Sequence, residues 1–160
     1  MYNPFSLENK IILVTGASSG IGRAIAIECS KMRASVIITG RNEERLKETQ
    51  TQMDHYGNHQ MIKADLKFKE QIDNLVNEIY CELNGVVQCA GFTIPKPFKF
   101  YSEKETQSVM KVNFEAPFFL TQALLKKNKI KNKAAIVFIS SISGVYVSYV
   151  GGSLYSASKG

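Results

Sequence analysis

Cysteine is scarce in this chain, and the three present make no framework. Cys29, Cys81 and Cys89 all lie in apolar-periodic surroundings, which fits free thiols in a reducing, cytoplasmic compartment. The first ten residues lack a basic stretch followed by a long apolar core, so no secretory leader is expected. Nor is there a membrane-spanning run. The charge-free tract between Lys133 and Lys159 is interrupted by Ser140, Ser141, Ser143, Gly151 and Gly152. Internal repeats and low-complexity linkers are also missing. Acid is outnumbered, with 14 Asp and Glu against 20 Lys and Arg for a formal charge of +6. The bases are thickest from Lys126 to Lys133, yet no aromatic residue interleaves with them to stack on bases. That run reads as a solvated helix end whose charge complements the helix dipole, so no nucleic-acid partner is expected.

What is present is one domain's worth of globular protein. The 160 residues are 44% apolar and 21% charged, enough to bury a real core. Short β-branched runs alternate with longer amphipathic stretches. The expected strands are 11–14, 35–39, 61–64, 85–89 and 135–139, the last apolar enough for a central position. The expected helices are 20–32, 42–53 with Asn42 as N-cap, 68–81, a long one over 102–127, and a last one from Ser153. Ser102 and Glu105 form a capping-box pattern at the start of the long helix. Pro95 and Pro97 mark a loop. Five strands separated by helices call for an α/β, Rossmann-type doubly wound parallel sheet, in a single domain over 1–160.

In such a sheet ligands bind beyond the carboxyl ends of the strands. After the first strand comes Thr15-Gly16-Ala17-Ser18-Ser19-Gly20-Ile21-Gly22. A glycine-rich turn that opens a helix aims backbone N–H groups at a phosphate; the plainer reading is a flexible Ser/Gly turn. After the second strand comes Arg41, with no acid before it. A guanidinium there can bind a ribose 2′-phosphate, which favours NADP(H) over NAD(H); alternatively Arg41 pairs with Glu43 or Glu44. After the third strand, Asp65 either accepts from an adenine amino group or caps the following helix. After the fourth, Ala90-Gly91 would let the backbone lie against a ribose, and Cys89 reads as a small buried thiol.

After the fifth strand the pattern becomes specific. Tyr155 and Lys159 are four apart and share one helix face. A phenol ionises near about pH 10, too high for acid–base work at neutral pH, and a nearby ammonium favours the phenolate. Ser141 can donate to a substrate carbonyl oxygen, so the three suit carbonyl reduction. Singly they are a half-buried aromatic, a solvated lysine and a turn former. In the long helix, Pro117 lacks the N–H that the carbonyl of Asn113 would normally receive. A kink is expected there, with the freed carbonyl holding a water that links Lys159 to solvent, or simply a packing kink.

Taken in this order, the Thr15–Gly22 loop, Asp65, Ala90-Gly91, Asn113, Ser141 and Tyr155-x-x-x-Lys159 resemble the short-chain dehydrogenases/reductases. The subgroup with 3-oxoacyl-(acyl-carrier-protein) reductases and similar bacterial ketoreductases looks nearest. The resemblance runs from about Leu7 to the end. It implies an Asn113, Ser141, Tyr155, Lys159 tetrad. Tyr155 would be the acid/base, Ser141 the carbonyl orienter, Lys159 the ribose binder and Tyr155 activator, and Asn113 the water holder. It also implies cofactor contacts from Gly16, Ser18, Ser19, Gly20, Ile21, Gly22, Arg41, Asp65, Leu66, Ala90, Gly91, Tyr155 and Lys159. The implied activity is NADP-dependent hydride exchange with a small ketone or secondary alcohol, a 3-oxoacyl thioester being one such substrate. No metal, nucleic acid or membrane is involved, and full-length relatives are homo-oligomers that pair through the long helix and the Tyr/Lys helix.

Three features depart from the family pattern. Gln88-Cys89 stands where two asparagines are usual. Arg33 occupies a helix-to-strand turn that usually carries glycine. The chain stops at Gly160, where relatives continue through a sixth strand, a substrate lid and a seventh strand, so the fifth strand becomes an apolar edge. These departures imply either the cofactor-binding part of a longer reductase, or a truncated, inactive remnant that binds nucleotide or a partner chain.

Overall fold

The structure, a computed structural model, describes residues 3–147 and 149–160. Its five strands are β1 (Ile11–Thr15), β2 (Ser35–Gly40), β3 (Gln60–Lys63), β4 (Leu83–Gln88) and β5 (Ile130–Phe138). All pairings are parallel, and the order is β3-β2-β1-β4-β5. The helices are α1 (Gly20–Lys31), α2 (Glu43–Thr51), α3 (Lys69–Glu78), α4 (Glu103–Met110), α5 (Ala116–Lys126) and α6 (Ser153–Lys159). This is the doubly wound architecture expected from the alternation of strands and helices.

The period-two geometry of the strands divides the core between two faces. Leu13, Ile37, Ile62 and Val86 pack with Ile72, Leu75 and Val76 of α3 and Leu120 and Leu124 of α5. The intervening residues Ile12, Val14, Val36 and Ile38 pack on the other face with Ala26 of α1, Leu46 of α2 and Met53. Both faces are covered, so the strands can be apolar throughout. The reversal of strand direction order between β1 and β4 leaves the crevice at their carboxyl ends open.

β5 begins at Ile130 rather than the expected Ala135, and it is the sheet edge, as the order 3-2-1-4-5 with no following strand implies, pairing only with β4 among the described residues. Val137 and Phe138 are accordingly exposed. The lysine run is therefore not one helix end. α5 closes at Lys126 in a left-handed turn, with Asn128 at φ 52° and the Asn128 and Lys129 amides donating back to Leu125 and Leu124. The chain then enters β5 at Ile130, and a register shift opposite Leu83 and Gly85 and a left-handed Lys133 absorb the irregularity.

The long helix is not uniform either. Ser102 forms the expected capping box with Glu105, but α4 and α5 are joined by a π turn, Lys111–Glu115, in which the Ala116 N–H reaches the Lys111 carbonyl. The missing N–H of Pro117 is accommodated by widening one turn rather than breaking the helix. Asn113 lies inside that turn, buried.

Arg33 adopts φ 73° at the end of α1, where its amide donates to Ser30 and that of Ala34 to Cys29. This is the C′ position of a Schellman turn, which glycine suits best. Arg33 partly offsets its strain by lying over the Tyr56 ring at 4.5 Å and pairing with Glu8 at 3.6 Å. Replacing Arg33 by alanine keeps the strain and removes both contacts, whereas glycine also removes the strain. Arg33→Gly should therefore be more stable than Arg33→Ala by about 1 kcal/mol in urea unfolding; equal stabilities would contradict the assignment.

Glu105 gives a second expectation. Lys96 at 2.6 Å, and then the Ser102 hydroxyl and amide, draw its carboxyl from the usual 4.5 down to about 2. A depressed folded-state pKa contributes stability above the unfolded value, lost as pH falls through the folded one. Glu105→Gln should thus lower Tm at pH 6 and cost progressively less between about pH 4.5 and pH 2. A gap that does not narrow over that window would argue against the ion pair.

Candidate active site

The carboxyl ends of the strands are held together by one buried hydroxyl. Thr15, last residue of β1, accepts the amide hydrogens of Cys89 and Ala90, each at 3.0 Å, and donates to the Val87 carbonyl at 3.4 Å. The loop after β1 is thereby pressed against the segment after β4. A Cβ on Gly16 would lie 2.8 Å from the Ala90 Cα, and Gly16 itself has φ 67°. Outside ties shape the rest of this loop. The Ala17 amide donates to Thr39, Thr49 donates to the Ala17 carbonyl at 2.8 Å, and Arg23 donates to the Ser18 carbonyl at 2.7 Å.

α1 opens at Gly20 with no side-chain cap from Ser19. Its first-turn amides therefore face outward without a cap. Gly20 has φ 55° and no atom within 4 Å of the place a Cβ would take, while a Cβ on Gly22 would lie 2.5 Å from the Gly16 carbonyl oxygen. The first glycine leaves room on the open side; the second permits close packing underneath. An anion can approach such a helix start closely.

The loop borders a cavity of about 710 Å³. Gly16, Ser18, Ser19, Gly20, Ile21 and Gly22 form one wall, and Arg41, Asp65 and Leu66 another. Ala90, Gly91, Tyr155 and Lys159 complete it. Every cofactor-contact residue expected from the sequence borders this one space. Phe92, Thr93 and Ile139 border it too and carry no signal in the sequence beyond lying just past a strand end.

Several individual readings sharpen. Arg41 pairs with neither Glu43 nor Glu44: Glu43 is engaged by Lys47 at 2.9 Å and Lys63 at 3.6 Å. Asp65 does not cap α3, whose N-cap is Phe68. Its carboxylate accepts the Lys67 amide at 3.1 Å, an Asx turn, and its own amide donates to Gln71 at 2.7 Å. Gln88 is buried and its amide reaches the Thr121 hydroxyl at 3.3 Å, bracing β4 to α5. Burial pushes the Cys89 thiol up, with Lys159 opposing, so nothing favours a thiolate there.

The catalytic candidates divide into two groups. Tyr155 and Lys159 border the cavity, and the Lys159 ammonium donates to the Ile139 carbonyl at 2.7 Å. Burial lowers the Lys159 pKa, partly countered by Cys89. Asn113 stands behind them. Its amide exchanges two hydrogen bonds with the Phe92 backbone, at 2.9 and 3.0 Å, and donates to the Ser158 hydroxyl at 2.9 Å. Ser158 in turn donates to the Tyr155 carbonyl at 2.8 Å. The side chain of Asn113 thus fixes α6 against the segment after β4. Ser141 is the exception. Its hydroxyl accepts the Ser143 amide at 3.2 Å, capping a short 3-10 turn, and it does not border the cavity.

A second, mostly apolar cavity of about 520 Å³ lies between α5 and β5, lined by Phe114, Pro117, Phe118, Leu125, Phe138 and Ile139 among others. Among the described residues, no helix is long and apolar enough to cross a membrane.

With this geometry in place, the chain was compared with known proteins. The family model for short chain dehydrogenases matches residues 10–160. A protein named tropinone reductase homolog from Arabidopsis thaliana is 34% identical over 98% of this chain and 61% of its own length. The 3-oxoacyl-[acyl-carrier-protein] reductase FabG of Aquifex aeolicus is 36% identical over 96% of this chain and 63% of its own. A short chain dehydrogenase of Shigella flexneri, solved in complex with NADP, superposes with a TM-score of 0.87 at 34% identity, covering 98% of this chain and 69% of that one. The chain spans about three-fifths of the length of the curated relatives it matches.

The two loop glycines should respond differently to a methyl group. Gly20→Ala meets no atom and should cost about 1 kcal/mol for its backbone angle alone. Gly22→Ala must displace the Gly16 carbonyl and should cost about 1–3 kcal/mol. Thermal unfolding checks both, and an unperturbed Gly22→Ala would refute the packing described.

Proposed function

The chain belongs to the short-chain dehydrogenase family, and from that premise we propose that it is the cofactor-binding domain of an NADP-dependent oxidoreductase acting on a small ketone or secondary alcohol. The observation that carries this reading is that Tyr155 and Lys159 border the same cavity as the glycine loop and Arg41. The residues present fit a nicotinamide dinucleotide. Its pyrophosphate matches the uncapped start of α1 and the space beside Gly20. A 2′-phosphate matches Arg41, which forms no ion pair among the described residues, and the small Ala90-Gly91 stretch leaves room for a ribose. When bound, the nicotinamide supplies or accepts a hydride.

The remaining chemistry is proton management by the chain itself. Tyr155 gives its phenolic proton to the carbonyl oxygen in reduction and takes it back in oxidation. Lys159, one helical turn on and half-buried, brings a positive charge to the same cavity. Asn113 acts on both through Ser158 and the α6 backbone; its main-chain carbonyl, four residues before Pro117, is the group we assign to an ordered water. Ser141 orients the substrate oxygen with its hydroxyl hydrogen, which accepting the Ser143 amide leaves free. A 3-oxoacyl thioester is one substrate of the right class, supported by the likeness to the Aquifex reductase. Three free cysteines support a cytoplasmic setting.

Because Ser141 does not border the cavity, the 160-residue chain alone is expected to bind cofactor and to turn over little or not at all. Fluorescence titration should give tighter binding of NADPH than NADH, by about ten-fold or more. Arg41→Ala should remove most of that difference; equal losses for both cofactors would refute the 2′-phosphate assignment. Robust ketone reduction by the purified chain, lost in Tyr155→Phe, would contradict the expected inactivity and support the acid/base role.

A further inference from the structure

The 2′-phosphate end of the cavity contains more positive charge than Arg41 alone provides. Arg45 also borders the cavity and is exposed. It stands one helical turn from Arg41, with its amide hydrogen accepted by the N-cap Asn42 at 2.9 Å. α2 is rich in acid, carrying Glu43, Glu44 and Glu48, which would ordinarily quench such arginines. Two of these carboxylates are engaged elsewhere. Lys47 and Lys63 flank Glu43, and Arg23 pairs with Glu48 at 3.0 Å. Glu44 does not border the cavity. Among the described residues, neither Arg41 nor Arg45 forms an ion pair with a carboxylate. Arg23 also donates to the Ser18 carbonyl at 2.7 Å and the Arg45 carbonyl at 3.3 Å. One guanidinium therefore ties the glycine loop to the turn of α2 that carries Arg45.

We propose that Arg45 is a second phosphate-binding guanidinium, acting with Arg41 on the ribose phosphomonoester. Lys47, Lys63 and Arg23 keep it available by occupying Glu43 and Glu48. The inference rests on the dinucleotide reading of the cavity but is separable from it, since Arg41 by itself would suffice for an NADP preference. A phosphate dianion offers three acceptor oxygens, enough for two guanidinium forks to share.

Calorimetric titration with 2′,5′-ADP and 5′-AMP, which differ only in the 2′-phosphate, isolates the subsite without any need for turnover. The wild-type chain should prefer the bisphosphate. Arg45→Met should weaken 2′,5′-ADP by about ten-fold while leaving 5′-AMP within about two-fold. Lys63→Met should weaken 2′,5′-ADP by a smaller factor, with Glu43→Gln in the same chain restoring it. If Arg45→Met leaves the ratio unchanged while Arg41→Met abolishes it, this inference fails and the NADP reading stands. If Arg45→Met weakens both ligands equally, its effect is structural and the inference again fails. A wild-type chain with no preference would overturn both.

Discussion

The Thr15 hydroxyl is the contact on which the site depends. β1 and β4 are neighbours in the sheet but far apart in sequence, and their trailing loops have no reason to stay together unless something joins them. A buried hydroxyl that accepts two amide hydrogens and donates to a carbonyl does so with its full hydrogen-bonding capacity. It also satisfies two backbone donors at a place where the strand ladder has ended. From that point the glycine loop runs one way, towards the start of α1. The Ala90-Gly91 segment runs the other way, towards Asn113 and α6.

The second half of the site is assembled by similar means. α6 spans only Ser153–Lys159 and has no side-chain cap, so its position is set by ties from outside. Asn113 supplies one through Ser158. Ser140 supplies another by donating to the Lys159 carbonyl at 2.9 Å. Tyr101 lies near the Ile94 and Gly151 carbonyls, at 2.7 and 2.9 Å, and holds the turn that leads into the helix. Asn113 can reach inward because the π turn around it rotates the side chains relative to a regular α-helix. The proline that produces this widening is thus part of how Tyr155 and Lys159 are placed.

Much of this was legible in the residues. β-branched runs and glycine punctuation located all five strands, and the Ser102 and Asn42 caps appeared as expected because capping is local chemistry. The left-handed Arg33 was readable only through the family likeness, which puts glycine at that turn. What escaped was set by distant partners. The run from Lys126 to Lys133 looks like one solvated helix end, but pairing with β4 draws Ile130 to Phe138 into a strand. Asp65 is a local exception: it has the composition of a helix cap, yet the Lys67 amide two residues on claims its carboxylate before α3 begins. Asn113 and Pro117 indicated an irregular helix; that the Asn113 side chain would bind Phe92 and Ser158 required knowing which elements meet there. The Ser143 amide on the Ser141 hydroxyl, and the pairing of Glu43 and Glu48 with other cations, are likewise outcomes of competition among neighbours.

The central claim is that the carboxyl ends of β1 to β5 form one cofactor site rather than several unrelated features. Amide NMR of the labelled chain during titration with NADPH tests it most directly. The account predicts that the largest shifts fall together, at saturation, on Gly16 to Gly22, Arg41, Ala90, Gly91 and the backbone of Tyr155 and Lys159. Shifts confined to Phe114, Phe118 and Leu125 of the apolar groove, or none at saturating NADPH, would contradict it.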